Sequence, residues 1–296
     1  MTIIDCRPFL AVGVSFIAAV LIAFSRRWPN LRETWSVIAS VLKFAIILSM
    51  VPAVLAGDQY QWTLCQITDT VGLTLRTDPA GMIFAVLASM LWVPMNFYSI
   101  GYMRCNHESE QTGYFAAFAI CMSAVMGIAM AENLLTFFIF YEILTLASYP
   151  LVLHKRNQEA LMASRKYLIY TLISGQLFLA GVIAVYCISG TMEFTPGGFL
   201  TTDMAPRWVL QAIFVLMILA GSVKAAVMPL HGWLPAAMIA PTPVSALLHA
   251  VAVVKKGVFA VLRIIGFVFG PKLLAEIGVT DVLAWAAATS IIVSSL

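Results

Sequence analysis

The sequence has few charges and lacks the cysteine and glycine patterns that build redox, metal or phosphate sites. Of its 296 residues, 17 are Lys or Arg and 14 are Asp or Glu, so 10% are charged, against about 25% in soluble domains. The net charge of +3 is too small to indicate a nucleic-acid partner. The five cysteines form no close-spaced pair, and no Ser-His-Asp order or Gly-rich phosphate loop occurs. We therefore expect no metal, no cofactor and no catalytic residue.

The sequence is instead rich in long apolar segments. Hydrophobic residues make up 61% of the chain, and the mean hydropathy is +0.95. A membrane helix needs about 20 apolar residues, whereas barrel strands are much shorter and alternate in polarity. The pattern predicts an all-α, polytopic helix bundle in a lipid bilayer. Its nine candidate spans are 9–24, 36–56, 79–100, 114–131, 133–153, 166–188, 208–228, 242–267 and 279–296.

The loops between the spans alternate in charge. Loops 25–35, 101–113 and 154–165, with Lys166, hold eight Lys and Arg residues, and the opposite side holds four. The positive-inside rule places the first group in the cytoplasm and the N-terminus outside, in a bacterial inner (plasma) membrane. In the outer connection 57–78, apolar and polar residues alternate in part, and this pattern predicts a short β-hairpin.

Several ionisable residues stand inside apolar segments, where a charge costs about 2.5–3.5 kcal/mol. Glu142 lies about 14 Å along a helix from Asn133 and so near the bilayer centre. The functional interpretation of Glu142 is a proton carrier, and the alternative is a protonated carboxyl that is hydrogen-bonded to a neighbour.

Lys224 precedes a run of helix breakers, so we expect a discontinuous helix near 224–241 that lines an ion site. The alternative is a turn with Lys224 reaching the interface. The breaking residues are Pro229, Pro235, Pro241 and Pro243.

The next span carries His249, Lys255 and Lys256. His249 and Lys256 are seven positions apart and share a helix face, whereas Lys255 points about 100° away from Lys256. The pattern leaves open which lysine faces the interior, and whether His249 relays protons or bonds to a backbone carbonyl. His231, in the break, either orients the loop or relays protons.

Three further charges lie closer to the ends of the spans. We expect Lys43 to reach the cytoplasmic interface by its long stem, although it remains a possible member of the proton path. Arg263 is expected to reach the outer interface in the same way. Glu132 is expected to be a solvated or helix-capping residue.

Two stretches resemble a known family. HGWLPAAMIAPTPVSALLHAVAVVKKGVFAVLRI (231–264) resembles the signature of the antiporter-like membrane subunits of Mrp-type cation/proton antiporters, respiratory complex I and membrane-bound hydrogenases. AENLLTFFIFYEILTLASYPLV (131–152) is similar to the Glu-bearing helix of that family. HAVAVVK followed by GVF is most similar to the D-type subunit of Mrp antiporters. The resemblance implies that the family's proposed proton-path residues correspond to Glu142, Lys224 and Lys255, and that the family's histidine corresponds to His249. Lys256 stands where the family usually has a small residue, and we count His249 and Lys256 with the predicted path.

The resemblance also implies the organisation and the function. It predicts helices 1–3 with an outer hairpin loop in 1–113, a proton-translocating five-helix repeat in 114–267, and in 268–296 the start of a second, inverted repeat that is otherwise missing. The implied function is a proton-translocating, non-enzymatic subunit of a multisubunit Na+ or K+/proton antiporter. Its partners would be other membrane subunits, protons and monovalent cations. Two alternatives stay open: a proton-pumping subunit of an NADH:quinone oxidoreductase or hydrogenase complex, and a truncated scaffold subunit that transports nothing.

Overall fold

The computed structural model describes residues 2–67 and 71–295. Long helices dominate the described chain, and three short strands lie near its N-terminal end. The helices are α1 (Arg7–Phe24), α2 (Pro29–Leu55), α3 (Pro79–Cys105), α4 (Gln111–Ala129), α5 (Leu134–Val152), α6 (Gln158–Ser189), α7 (Arg207–Lys224), α8 (Trp233–Ala237), α9 (Thr242–Ala246), α10 (Val253–Arg263), α11 (Gly270–Ile277) and α12 (Thr280–Ser295). The strands are β1 (Thr2–Ile4), β2 (Gln59–Gln66) and β3 (Gly72–Arg76).

Eight helical segments within the described residues are long and apolar enough to cross a membrane. Seven of them are α1 to α7, and the eighth runs from Thr242 to Ile277 through α9, α10 and α11. The predicted all-α, polytopic membrane bundle is confirmed. The ninth predicted span, 279–296, is represented by α12, an apolar helix of 16 residues with no buried residue.

Asparagine and aspartate side chains fix where three of the long helices begin. Asp78 accepts from the backbone N–H of Gly81 at 2.6 Å at the start of α3. Asn133 accepts from Thr136 at the start of α5, and Asn157 accepts from Ala160 at the start of α6, both at 2.8 Å. Each side chain satisfies a backbone donor that the first turn of a helix leaves free.

A small three-stranded sheet lies at the predicted outer end of the bundle. Strand β2 pairs antiparallel with β3, as expected for a hairpin in 57–78, and parallel with β1, which the sequence analysis did not predict. Residues 68–70 of the hairpin lie outside the described residues. The outer loop 190–206 joins this end through the Phe194 N–H, which donates to the Glu132 carbonyl at 3.0 Å.

Two interruptions of regular α-helix shape the last spans. Helix α7 ends at Lys224, and only the short helix α8 intervenes before the chain resumes a long helical run at Thr242. Within that run, α10 is flanked by two π-helical segments, Leu247–Val251 and Ile264–Phe269. Such segments change the rotation of the residues that follow, and they occur frequently at functional sites.

Candidate functional site

Three residues of α5 form one side of a buried polar cluster. Tyr141 and Thr145 are four positions apart, and Glu142 precedes Thr145 by three, so all three lie on adjoining parts of one helix face. Tyr141 and Thr145 are fully buried, and the Glu142 side chain is 16% exposed. The Thr145 hydroxyl donates to the Tyr141 carbonyl at 3.1 Å. Its oxygen lone pairs are therefore free to accept hydrogen bonds.

Lys224, the last residue of α7, supplies the first cation of the cluster. Its fully buried ammonium donates to Glu142 Oε1 at 2.6 Å and to Thr145 Oγ1 at 2.9 Å. The ring centroid of Tyr141 lies 3.7 Å from Nζ, within range of a cation–π interaction. The negative end of the α7 dipole also favours a cation at this position. Glu142 and Lys224 therefore form a direct ion pair inside the bundle.

A tryptophan from the segment after α7 hydrogen-bonds to the backbone at the end of that helix. Trp233 Nε1 donates to the Val223 carbonyl at 2.7 Å, and the indole is fully buried. Its ring packs 5.4 Å from that of Tyr167, whose hydroxyl is 2.6 Å from Ser148 Oγ. Irregular backbone at membrane depth requires such internal partners. Trp233 thus ties the segment after the break to the end of α7 and to α6, while the residues of the break itself are half-buried or, at Pro229, exposed.

Lys256 on α10 is the second cation of the cluster. Its fully buried Nζ donates to Thr145 Oγ1 at 3.0 Å and to the Tyr141 carbonyl at 3.2 Å. The hydroxyl of Thr145 therefore accepts from both buried lysines. Gly257 makes this approach possible, because a side chain there would collide with the backbone of Lys224 and Ala225. We call Glu142, Thr145, Lys224 and Lys256 the central cluster.

The structure separates the two adjacent lysines. Lys255, which the resemblance matched to the lysine of the family's path, is exposed and makes no hydrogen bond or ion pair with any described residue. Consecutive helical residues point about 100° apart, so only one of the two can face the cluster. The π-helical segment Leu247–Val251 helps to set the rotation of α10 that turns Lys256 inward. The placement of Lys255 beside Glu142 and Lys224 is corrected to Lys256.

The two histidines do not join the central cluster by direct contact. His249 lies half-buried in the π-helical segment, and His231 lies half-buried in the break. His249 Nε2 and His231 Nδ1 are buried and have no hydrogen-bond partner among the described residues. Their part in a proton relay stays a prediction.

Lys43 and Arg263 were expected to reach the membrane interfaces, and both expectations are wrong. Lys43 is fully buried, and its Nζ donates to the Met122 carbonyl at 2.7 Å. Arg263 is 1% exposed, forms an ion pair with Asp78 and lies against three phenylalanine rings. Neighbouring helices enclose both side chains. These contacts join segments that are distant in the chain, so the position of a residue along its own span does not reveal them.

Two ionisable groups outside the spans are also buried. Glu132 is 7% exposed rather than solvated, and Arg76 Nη1 lies 3.0 Å from its carboxylate. Burial raises the pKa of Glu132, and the Arg76 charge opposes this shift. At the other end, burial lowers the pKa of His154 against the opposing effect of Glu108, whose carboxylate is 3.6 Å away.

Two residues that position the cluster were not identified from the sequence. Thr145 stands three residues after Glu142, and this spacing was an available signal for a polar partner on the same face. Gly175 on α6 lies directly against the Glu142 carboxylate, where any side chain would overlap the carboxylate oxygens. A glycine in an apolar helix gives no such signal by itself.

The chain is therefore a helical membrane protein with a buried acid–lysine cluster beside a break in a helix. Residues 131–296 match the family described as NADH:quinone oxidoreductase/Mrp antiporter, TM. The chain belongs to this family. The expected membership is thereby confirmed, and the match begins just before α5 and includes every residue of the central cluster.

Relatives of this chain carry names from both antiporters and quinone oxidoreductases. It is 27% identical over 279 residues to NAD(P)H-quinone oxidoreductase subunit 5, organellar chromatophore 1, of Paulinella chromatophora, covering 88% of this chain and 41% of that protein. It is also 27% identical over 230 residues to a protein of Staphylococcus haemolyticus named as antiporter subunit mnhA2, covering 77% of this chain and 29% of that protein. The chain thus spans less than half the length of these relatives.

Two solved structures share the fold. One is the membrane-bound sulfane sulfur reductase, an archaeal respiratory membrane complex, with a TM-score of 0.78 and 23% identity over 88% of this chain and 53% of the other. The second is the Mrp complex from Dietzia sp. DQ12-45-1b, with a TM-score of 0.74 and 22% identity over 88% of this chain and 48% of the other. At this identity the likeness concerns the fold alone. The antiporter relative from Staphylococcus haemolyticus is an mnhA2 subunit, and the similarity to a D-type subunit stays a prediction.

Proposed function

We propose that this chain is a proton-translocating membrane subunit of a multisubunit monovalent cation (Na+ or K+)/proton antiporter. The observation that carries the proposal is the composition of the central cluster. Two fully buried lysines share one threonine hydroxyl, and a single carboxylate pairs with one of them. A cluster of this kind has one more ammonium group than its carboxylate neutralises when both lysines are protonated.

The excess charge gives the cluster a mobile proton. Both ammonium groups contact Thr145 Oγ1, so Lys224 Nζ and Lys256 Nζ are at most about 6 Å apart. At an effective dielectric constant of about 20, two like charges at that distance repel by roughly 3 kcal/mol. The carboxylate of Glu142 offsets this repulsion only while it stays beside Lys224. Movement of Glu142 therefore decides whether the pair holds two protons or one, which is how charge elsewhere in a complex would drive proton release.

The membership of the family and the partial exposure of Glu142 support a role inside a larger assembly. A carboxylate that is 16% exposed at membrane depth is costly against lipid, and a neighbouring subunit would cover it. The proposed partners are other membrane subunits, protons and the coupling cation. The proposed setting is a bacterial inner membrane, and the charge bias of the loops supports an N-terminus outside.

The test uses everted membrane vesicles from an antiporter-deficient bacterial host that contain the complete complex. Addition of NaCl or KCl to acidified vesicles should dissipate the pH gradient, followed with a pH-sensitive dye. Glu142→Gln and Lys224→Ala should reduce the rate at least about tenfold, because each removes a charge of the central cluster. Lys255→Met is the matched control, since it removes an exposed lysine outside the cluster. Full exchange in both cluster variants, with normal assembly of the complex, contradicts the proposed relay.

A proton-pumping subunit of a redox complex is the second candidate, favoured by the similarity to NAD(P)H-quinone oxidoreductase subunit 5. The same vesicles separate the two functions. A pump would acidify the lumen when an electron donor and a quinone are supplied, and it would not respond to Na+ or K+. Acidification that requires quinone reduction and is lost in Glu142→Gln supports the second candidate. The absence of both activities in the unmodified complex supports a scaffold role.

A further inference from the structure

The N-terminal helices contain a third buried lysine that the central cluster does not use. Lys43 lies 14 residues after the start of α2, or roughly 21 Å along a helix of 27 residues, and so near its middle. It is fully buried, and the Met122 carbonyl accepts one of its three N–H donors at 2.7 Å. The ring of Trp92 lies 4.9 Å from Nζ. A cation in this position has an aromatic face and a carbonyl as neighbours.

The helices that pack around α2 bring no carboxylate to Lys43. Among the residues of α1 to α4, Glu33 is the only Asp or Glu, and it precedes Lys43 by ten positions on α2 itself. That separation is about 15 Å along the axis, too far for an ion pair. The other ionisable side chains of α1, α3 and α4 are Arg7, Tyr98, Tyr102, Arg104, Cys105, Tyr114 and Cys121. Lys43 is thus a buried amine whose charge no carboxylate of these helices neutralises.

A polar face of α2 connects Lys43 with the predicted cytoplasmic end of the bundle. Glu33, Ser36, Ser40 and Lys43 follow one another at helical spacing, and each is at most 5% exposed. Ser36 Oγ is 2.7 Å from Asn96 Oδ1, and Asn96 Nδ2 donates to the Ser36 carbonyl at 3.2 Å. The same face continues with apolar residues only, namely Ile47, Met50 and Val54. The polar half of the face therefore ends at Lys43.

A surface groove lies beside Glu33, where this polar face begins. It has a volume of about 370 Å³ and lies between α2 and α3, with Glu33, Asn30 and Arg104 in its lining. Arg104 forms an ion pair with Glu33 and donates to Asn30 Oδ1 at 2.6 Å. At the other end of the face, Trp92 Nε1 is buried and has no hydrogen-bond partner among the described residues. Together with the remaining N–H donors of Lys43, it can donate hydrogen bonds to the oxygen of an ordered water.

From this geometry we infer that the polar face of α2 is a cytoplasmic half-channel along which Lys43 exchanges its proton with the cytoplasm. One helix separates Lys43 from the central cluster, because α4 supplies the Met122 carbonyl and packs along α5, which carries Glu142 and Thr145. Lys43 is then a further proton-carrying residue of the subunit, loaded from the cytoplasm. The inference rests on the proposed transport function. Access of water to the polar face can be measured without transport.

The first experiment measures that access. In the assembled complex, with the five native cysteines replaced by alanine, Ser40→Cys and Ile47→Cys are treated from the cytoplasmic side with a charged, membrane-impermeant thiol reagent. Both positions are fully buried on the same helix face, on either side of Lys43. A half-channel that ends at Lys43 predicts labelling of Ser40→Cys at least about tenfold faster than Ile47→Cys. Equal rates, or no labelling of Ser40→Cys, overturn the inference even if the complex transports protons.

The second experiment separates proton release from a structural role of the charge. Lys43→Met removes the amine, whereas Lys43→Arg keeps a cation that does not lose its proton in proteins. If Lys43 must release a proton, both variants should slow exchange at least about tenfold in complexes that assemble normally. Restoration of the wild-type rate and pH profile by Lys43→Arg would show a structural cation and overturn the inference.

A pair of serines on α2 provides the matched control. Ser40 and Ser49 each donate to the carbonyl three residues earlier in α2, but Ser40 is buried on the polar face and Ser49 is exposed. Ser40→Ala should slow exchange and Ser49→Ala should not. Absence of exchange in the unmodified complex contradicts the proposed function, whereas exchange at the wild-type rate in Lys43→Met contradicts the half-channel alone.

Discussion

Thr145 allows a sharp test of the central cluster, because one hydroxyl contacts both buried lysines. Its oxygen accepts from Lys224 Nζ at 2.9 Å and from Lys256 Nζ at 3.0 Å. Valine has nearly the same shape as threonine but lacks the hydroxyl, so Thr145→Val removes both acceptor contacts without opening a cavity. Hydrogen bonds to charged groups contribute about 1.5–3 kcal/mol each. Loss of one such bond in the step that moves the proton slows exchange about 10- to 150-fold.

The assay is cation-dependent proton exchange in everted vesicles that contain the complete complex, with assembly checked by native gel electrophoresis. Thr145→Ser is the control, because serine keeps the hydroxyl and loses only a methyl group. We expect Thr145→Ser to exchange within about threefold of the wild-type rate. Exchange at the wild-type rate in an assembled Thr145→Val complex would refute the bridging role. Equal losses in the two variants would show that packing, and not the hydroxyl, matters at this position.

Three further predictions follow from the same geometry. Lys256→Met should abolish exchange in the vesicle assay, whereas Lys255→Met should leave it near the wild-type rate, because only the first lysine contacts the cluster; the reverse result would reinstate the sequence-based assignment. Gly175→Ala should slow exchange at least about tenfold, since its methyl group would displace the carboxylate that pairs with Lys224; an unchanged rate would show that the carboxylate tolerates displacement. Burial lowers the pKa of His154, so the unfolded chain binds its proton more readily and stability should fall as the pH drops below about 6.5. Thermal unfolding in detergent should show a smaller loss of stability at low pH in His154→Gln than in the wild type. His107→Gln is the control, because its side chain is exposed, and it should lose as much stability as the wild type. Equal losses in the wild type and both variants would contradict the prediction.

Much of the architecture follows from local features of the sequence. Long apolar runs predicted the membrane helices. A single helix satisfies all of its own backbone hydrogen bonds, and an apolar run can therefore cross lipid in this form. The concentration of prolines after Lys224 predicted an interruption, because proline removes a backbone donor. Glu142 and Lys224 were identified as functional candidates from the energetic cost of charge at membrane depth. Each of these inferences depends on residues close together in the chain.

The surroundings of each charge were decided by contacts between distant segments. Lys43 and Arg263 have stems long enough to reach an interface, but neighbouring helices enclose them. That enclosure depends on how α2 packs against α1, α3 and α4, and on the ion pair between Arg263 and Asp78, 185 positions apart in the chain. The position of Lys43 or Arg263 along its own helix, and the length of its side chain, could not have shown these contacts.

The sequence by itself determined a polytopic helix bundle with a carboxylate and lysines at membrane depth, because hydropathy and helix breaking are local properties of the chain. Only the tertiary structure decided that Lys256 rather than Lys255 reaches Thr145. The rotation of α10 depends on the π-helical segment before it and on the close contact of Gly257 with the end of α7. A shift of one residue turns a helix face by about 100°, and packing, not sequence spacing, sets that angle.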